Sequence, residues 1–436
     1  MKPPLFPFPD RPRLWGVAVS HYQVEGDDPC DWTEWEAAGR TRGGPCGAAV
    51  RGWERYEGDA DLAASLGANA FRFSVSWSRI EPRPGQFDRE ALDRYRRLAE
   101  HLVARGLEPV VTLLHYTHPA WFHRETPWTS TASVGAFSRL ARTVAQALAP
   151  HVRLWTVLNE PLVLLLGGFL DGQIPPGLSD VRAARRALDH LLAAHAEAAA
   201  VLREEAPGSV IGVAHNMMAF APDRPGHPLD RVLARSAHRL YNSGLLEAFA
   251  TGRWSVWIPP FTRLAGRRDD LPGSLDVLGV NFYSRLHLRS PGKERFPGDF
   301  AYRDRSGQGL SDNGWEIVPE AFGPLLREAA ALGKPLLVTE NGLADAADSR
   351  RPSFLRAHAD VLDRAIAEGV PVHGFFHWSL LDNFEWLDGF GPRFGLFSVD
   401  RETFERRPRP SAGVFAELGR RFLGTAGPDA QVSVHI

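Results

Sequence analysis

The chain has 436 residues, 44% of them hydrophobic and 23% charged, with a formal net charge of −2. That is an ordinary globular composition, with no global field to draw nucleic acid or an anionic membrane surface. Two cysteines, Cys30 and Cys46, lie outside any C-x-x-C pattern, so neither a zinc ribbon nor a redox motif is supported. Two free thiols are expected, with a disulfide between them as the alternative.

The opening stretch MKPPLFPFPDRPRLWG has no apolar targeting core, and its prolines break helices. No apolar run is long enough to span a bilayer. A cytoplasmic enzyme without a membrane partner is the expectation. Apolar, β-branched runs then recur along the chain: LWGVAVS (14–20), NAFRFSVS (69–76), EPVVTLLH (108–115), RLWTVLNE (153–160), VIGVAHN (210–216), DVLGVNFY (276–283), PLLVTENG (335–342) and VHGFFHWS (372–379). Helical patterns separate them. Residues 88–106 form one, with Asp88 as N-cap and Gly106 past the end, and 181–208 another, closed by Pro207 and Gly208. Eight strand–helix units predict one α/β domain, a closed (β/α)8 TIM barrel over 1–436 with a short tail from about residue 424. A doubly wound open sheet is the alternative, but it calls for a Gly-rich phosphate loop after an early strand, and none is found.

In such a barrel the active site lies at the C-terminal strand ends. The polar residues there are Ser20 with Gln23, Arg72 with Ser76, His115, Asn159 with Glu160, Asn216, Asn281 with Tyr283, Glu340, and Trp378. Period-2 alternation sends Phe71, Phe73 and Val75 outward and Arg72 into the barrel. A buried guanidinium needs a carboxylate, and Glu160 and Glu340 are the candidates at that rim. A plain buried ion pair is the bland reading, though a poor way to stabilise a core. Two facing carboxylates suit acetal hydrolysis, one protonating the leaving oxygen while the other attacks or activates water. Which of them receives Arg72 is open at this level. Asn159 and Glu160 are adjacent, so both reach one ligand only if the strand bends or bulges.

The 13 tryptophans include Trp121, Trp128, Trp315, Trp378 and Trp386 in predicted rim loops. Flat rings stack on sugar faces. A core position is an equally good reading for any one of them. HWSLLDNFEWLDGF (377–390) gathers Trp378, Asp382, Asn383, Glu385 and Trp386 after the eighth strand.

Taken together, LWGVAVSHYQVEG, RFSVSWSRIEP, LNEP, GVNFY, NGWEIVPE, VTENG, HWSLLDNFEW and RFGLFSVD, in this order, resemble glycoside hydrolase family 1, the β-glucosidase and β-galactosidase family. The resemblance spans nearly the whole chain. It implies a retaining β-glycosidase acting on terminal β-D-glucosides, with galactosides and fucosides also expected. It assigns Glu160 as acid/base, Glu340 as nucleophile, and Arg72 and Tyr283 as the groups that hold it. Gln23, His115, Asn159, Asn281, Glu385 and Trp386 become sugar-binding residues. Trp378 lies beneath the sugar, Trp315 forms the aglycone platform, and Trp378–Ser379 is a cis peptide.

The two carboxyl groups are expected about 5 to 5.5 Å apart. No metal or organic cofactor is expected, since the histidines are scattered without ligand spacing. Glu385 points to a neutral sugar, because at an effective dielectric near 20 it repels a 6-phosphate by on the order of several kcal/mol. A 6-phospho-β-glycosidase, a transglycosylase and a non-catalytic carbohydrate-binding barrel are the alternatives. The chain departs from the family at the third strand, where His115 is followed by Tyr116 rather than Trp; Tyr116 has no assigned role. The links from Gly266 to Asp276 and before NGWE are short, which leaves acceptor specificity open.

Overall fold

The structure, a computed structural model, describes residues 13–258, 262–290 and 299–425. The proline-rich N-terminal stretch up to residue 12 and the tail from 426 lie outside them. Eight parallel strands close into a barrel in sequential order: β1 (Leu14–Ala18), β2 (Ala70–Ser74), β3 (Glu108–Leu114), β4 (Leu154–Asn159), β5 (Val210–Asn216), β6 (Val277–Asn281), β7 (Leu336–Asn341) and β8 (Val372–Trp378), with β8 pairing back onto β1. All eight predicted runs are these strands. A principal helix follows each in turn: α1 (Gly52–Ser65), α2 (Arg89–Ala104), α3 (Ala132–Leu148), α4 (Val181–Glu205), α5 (Gly244–Thr251), α6 (Phe322–Ala330), α7 (Arg351–Ala367) and α8 (Pro410–Leu423). Asp88 caps α2 through the amides of Glu90 and Ala91, and Asp180 caps α4 in the same way. No helix among the described residues is long and apolar enough to cross a membrane.

Strand alternation sorts the side chains into two cores. Outward residues such as Trp15, Phe71, Phe73, Val111 and Trp155 pack under the helices. Inward, the N-terminal end of the barrel is closed by one residue from each strand: Leu14, Ala70, Val110, Leu154, Val210, Val277, Leu337 and Phe376. A methyl group on Gly16 would stand 2.7 Å from the Phe376 ring, so only glycine leaves room for that floor. Above it the inward positions turn polar, with Arg72 on β2, Thr156 on β4 and Thr339 on β7, all buried. Each strand therefore runs from an apolar base to a polar tip. Burial holds the base together, and the tip is left for chemistry.

The loop after β7 is fixed by Arg351, the first residue of α7, which is fully buried. Its guanidinium pairs with Asp348 and donates to the carbonyls of Leu343 (3.1 Å), Asp345 (2.7 Å), Arg393 (2.6 Å) and Gly395 (3.2 Å). Arg351→Ala strands a buried carboxylate and several carbonyls. The expected loss is about 3–5 kcal/mol, read as a lower denaturant midpoint; a loss below about 1 kcal/mol would count against the anchor.

Candidate active site

A cavity of about 360 Å3 opens at the C-terminal end of the barrel. It gathers Gln23, His115, Asn159, Glu160, Tyr283, Trp315, Glu340, Trp378, Glu385 and Trp386 around one space. Arg72 and Asn281 stand behind this wall, and both are buried.

Two strand irregularities aim the acids. The β4–β5 register shifts between Thr156 and Asn159, and Glu160 then takes a left-handed conformation with φ +47°. This break brings Asn159 and Glu160 to the same side, as their adjacency requires. On β7 the register with β6 shifts between Val338 and Glu340. Beyond Glu340 the chain passes so close to β8 that a Cβ on Gly342 would sit 1.8 Å from the Trp378 carbonyl oxygen. The Trp378–Ser379 peptide is cis.

Arg72 selects between the two carboxyls. Its Nη1 lies 2.5 Å from Glu340 Oε1, and its Nη2 donates to Asn159 Oδ1 at 2.6 Å. Tyr283 donates to Glu340 Oε2 at 2.6 Å. Glu160 has neutral partners: Asn281 Nδ2 (2.7 Å) and Asn216 Nδ2 (3.0 Å) donate to Oε1, and the Tyr116 hydroxyl donates to Oε2. Those donors are oriented in turn. Thr339 Oγ1 donates to Asn281 Oδ1 at 2.6 Å, and Tyr241 donates to Asn216 Oδ1 at 3.1 Å.

Burial pushes the Glu340 carboxyl up to about 7; the Glu160 charge adds to this, while Arg72 and Tyr283 pull the other way. The two acids are thus coupled through their charges. Without the like charge of Glu160, only burial would oppose ionisation of Glu340 beside its guanidinium. Burial, with the charges of Glu340 and Glu160, also holds the Tyr283 phenol well above its usual value, so it remains a donor.

His115 is kept neutral by burial and the Arg72 charge. Asn159 Oδ1 is occupied by Arg72 and by Asn281 (3.2 Å), so its amide nitrogen faces His115 Nε2 at 3.2 Å. The His115 proton then sits on Nδ1, a buried donor without a partner among the described residues. Gln23 is held by Ser20 (2.7 Å) and Asn383 (3.2 Å). Trp378 Nε1 donates to Glu385 at 3.2 Å. Burial pushes Glu385 up to about 8, opposed by Trp378 and Gln23 and reinforced by the charges of Glu340 and Asp388. Trp386 stacks on Tyr22 with centroids 5.7 Å apart.

Trp315 leans on Tyr283, Tyr302 and Phe394. Its loop is tied down by the next residue, Glu316, whose fully buried carboxylate takes Arg285 in two bonds (2.9 and 2.7 Å), His287 Nε2 (2.9 Å) and the amides of Arg305 and Ser306 (2.8 Å each).

Two of the five rim tryptophans are not rim residues. Trp121 and Trp128 are buried away from the cavity, and their indoles donate to Glu81 O (2.8 Å) and His118 Nε2 (2.7 Å). Trp121 sits on the short helix Ala120–Glu125 after β3 and Trp128 just beyond it, where its ring meets Phe137 of α3. Asp382 pairs with Arg409 at 2.6 Å and is structural. Cys30 and Cys46 are both buried free thiols. Tyr116, Tyr241, Tyr302, Met218 and Phe394 also line the cavity. Only Phe394 falls in a quoted motif, RFGLFSVD, where it had no assigned role; for the others the one signal was the departure from the usual pattern at Tyr116.

A family model described as Glycosyl hydrolase family 1 matches residues 7–421. Beta-glucosidase A of Thermotoga maritima is 33% identical over 420 residues, covering 90% of this chain and 93% of that one. A beta-galactosidase of Pyrococcus woesei is 30% identical, covering 94% and 96%. Among solved structures, a beta-glycosidase from Pyrococcus horikoshii superposes with a TM-score of 0.85 at 34% identity, covering 95% of each chain.

The coupling of the two acids has a measurable sign. Glu160→Gln removes the charge that helps hold Glu340 up. In a carboxyl-13C NMR titration Glu340 should then titrate below about 7; an upward move contradicts the coupling.

Proposed function

The chain belongs to glycosyl hydrolase family 1 and is an O-glycosyl hydrolase of the β-glucosidase type; from that premise we propose that it retains configuration by double displacement, with Glu340 as nucleophile and Glu160 as acid and base. The observation that carries this reading is the asymmetry of the pair. A guanidinium faces Glu340, and only neutral donors face Glu160. A fixed cation favours charge on Glu340, and the neutral donors leave Glu160 for the acid's part, which is the division the first step needs.

In that step Glu340 Oε attacks the anomeric carbon, the glycosidic C–O bond breaks, and Glu160 gives its proton to the departing oxygen. Glu160, now ionised, takes a proton from water as the water oxygen displaces Glu340 from the sugar. Atoms and charge are restored after the two steps. A carboxyl separation of about 5 to 5.5 Å suits this route. Arg72 and Tyr283 hold Glu340 on the attack line. Asn159, whose oxygen is occupied, offers its second N–H to the sugar 2-hydroxyl, and His115 offers Nδ1–H. Gln23, Glu385 and Trp386 take the remaining hydroxyls, Trp378 lies beneath the ring, and Trp315 receives the aglycone. All of these groups are protein side chains.

The substrate we propose is a neutral β-D-hexoside: glucoside, with galactoside and fucoside accepted. Glu385 hydrogen-bonds hydroxyls at the far end of the sugar and, in either protonation state, offers a phosphate there no positive charge. Arg42, the cation on that lip, is already paired with Asp388 at 2.6 Å. A cytoplasmic setting suits the two free thiols.

A 2-deoxy-2-fluoro glycoside with a good leaving group should label Glu340 covalently. Glu160→Ala should slow poor leaving groups far more than activated ones, with azide restoring turnover of the latter. A label on another residue, or equal losses on both substrate types, would sink the assignment. For specificity, kcat/KM on an aryl 6-phospho-β-glucoside should be about a hundredfold or more below that on the plain glucoside. The role given to Glu385 fails if the phosphorylated sugar is the better substrate.

A further inference from the structure

Tyr116 occupies an unusual piece of backbone. β3 ends at Leu114, and two residues on the chain reverses in a three-residue turn closed by Thr117 N–H on His115 O at 2.9 Å. Tyr116 is the middle residue, with φ +69°. For a bulky side chain this left-handed turn is strained, by about 1–3 kcal/mol. The flanking residues hold it in place. Thr117 Oγ1 meets His21 Nε2 at 2.8 Å. His118 is gripped by Asp31 through its backbone amide and its Nδ1 (2.9 Å each), and by Trp128 through Nε2 (2.7 Å). The strain aims the phenol. The buried ring stands edge-on between His115 (5.3 Å) and Trp386 (5.1 Å), and its hydroxyl donates to Glu160 Oε2.

The donors around Glu160 are unevenly shared. Oε1 takes two, Asn281 and Asn216, which fill its lone pairs; Oε2 takes Tyr116 alone. A carboxylate oxygen has about two lone-pair sites, so the open site for a proton is on Oε2. Tyr116 is thus bonded to the very oxygen that gives up the proton.

Resting on the assignment of Glu160 as the acid, we propose that Tyr116 is a positioning residue for it: its O–H fixes Oε2 toward the glycosidic oxygen and takes up the charge that appears on Oε2 as the proton leaves. The proton moves from Oε2 to the leaving oxygen as the C–O bond breaks, and the phenol keeps its own proton throughout. Burial and the Glu160 charge hold that phenol well above its usual value, consistent with its staying a donor.

The test is Tyr116→Phe, which removes one oxygen and keeps the ring. Rates on a methyl glycoside and on a dinitrophenyl glycoside are compared, since only the former needs acid assistance. The ratio of the two kcat/KM values should shift about tenfold against the methyl glycoside, one hydrogen bond's worth. The alkaline limb of the methyl glycoside pH profile should move upward, because the ionised carboxyl has lost a donor. Azide should not accelerate the variant, whose carboxylate is intact. In a Glu160→Ala background the same change should leave the ratio unaltered.

Turnover of the dinitrophenyl substrate also reports that the variant is folded. An unchanged ratio in Tyr116→Phe, or a uniform loss on both substrates, overturns the proposal. If Glu160→Ala alone gives no leaving-group dependence, the assignment of the acid itself falls.

Discussion

The site depends on one buried cation. Arg72 is almost fully enclosed, and a guanidinium in that position demands compensation on each of its faces. It receives Glu340 on one nitrogen and Asn159 on another. Those two contacts join β2, β4 and β7 across the barrel and set the charge of one acid apart from the other. They also fix the amide of Asn159, which in turn fixes the tautomer of His115. The polarity of the pocket follows from where this one charge lies.

The barrel supplies the geometry that makes such burial tolerable. Eight inward side chains, one per strand, seal its base with apolar surface, and the positions above them alternate into polar ones. Pleated strands alone would point Asn159 and Glu160 apart. The register breaks in β4 and β7 convert a regular sheet into a converging site, and they occur at the two acids. The hydrogen bonds lost from the ladder at those points are replaced locally, as when the Glu160 amide donates to Ala214 O at 2.8 Å and the Phe282 amide to Glu340 O at 2.9 Å.

Much of this was legible in the sequence because it rests on period and on position relative to strand ends. The eight apolar runs, the inward side of Arg72, the cap at Asp88 and the need for a bend at Asn159–Glu160 all follow from local rules. The partner of Arg72 was not legible, since both acids lie at the same rim and only the register shifts decide between them. Trp121 and Trp128 misled for a related reason. They follow a strand end as rim residues do, but the chain there turns back over the helices, where their rings are worth more as core. Tyr241 lies on a helical turn with no motif around it, and Tyr116 reaches Glu160 only through a left-handed turn that no periodicity announces.

The Glu316 anchor separates two parts of the pocket that might have been thought one. Glu340 and Asn159 hang on strands and are interlocked through Arg72, so a change in one is felt by the other. Trp315 instead rides on a loop held by a saturated carboxylate outside that network, and by Asp312 bonded to Ala344 and Arg350; Arg285, His287 and the local amides hold the Glu316 carboxyl below its usual range despite burial. Selection can therefore rework the wall that Trp315 forms, residue by residue, while the paired carboxyls are inherited intact. A scaffold divided in this way can change what one side of its pocket admits without first disturbing the other.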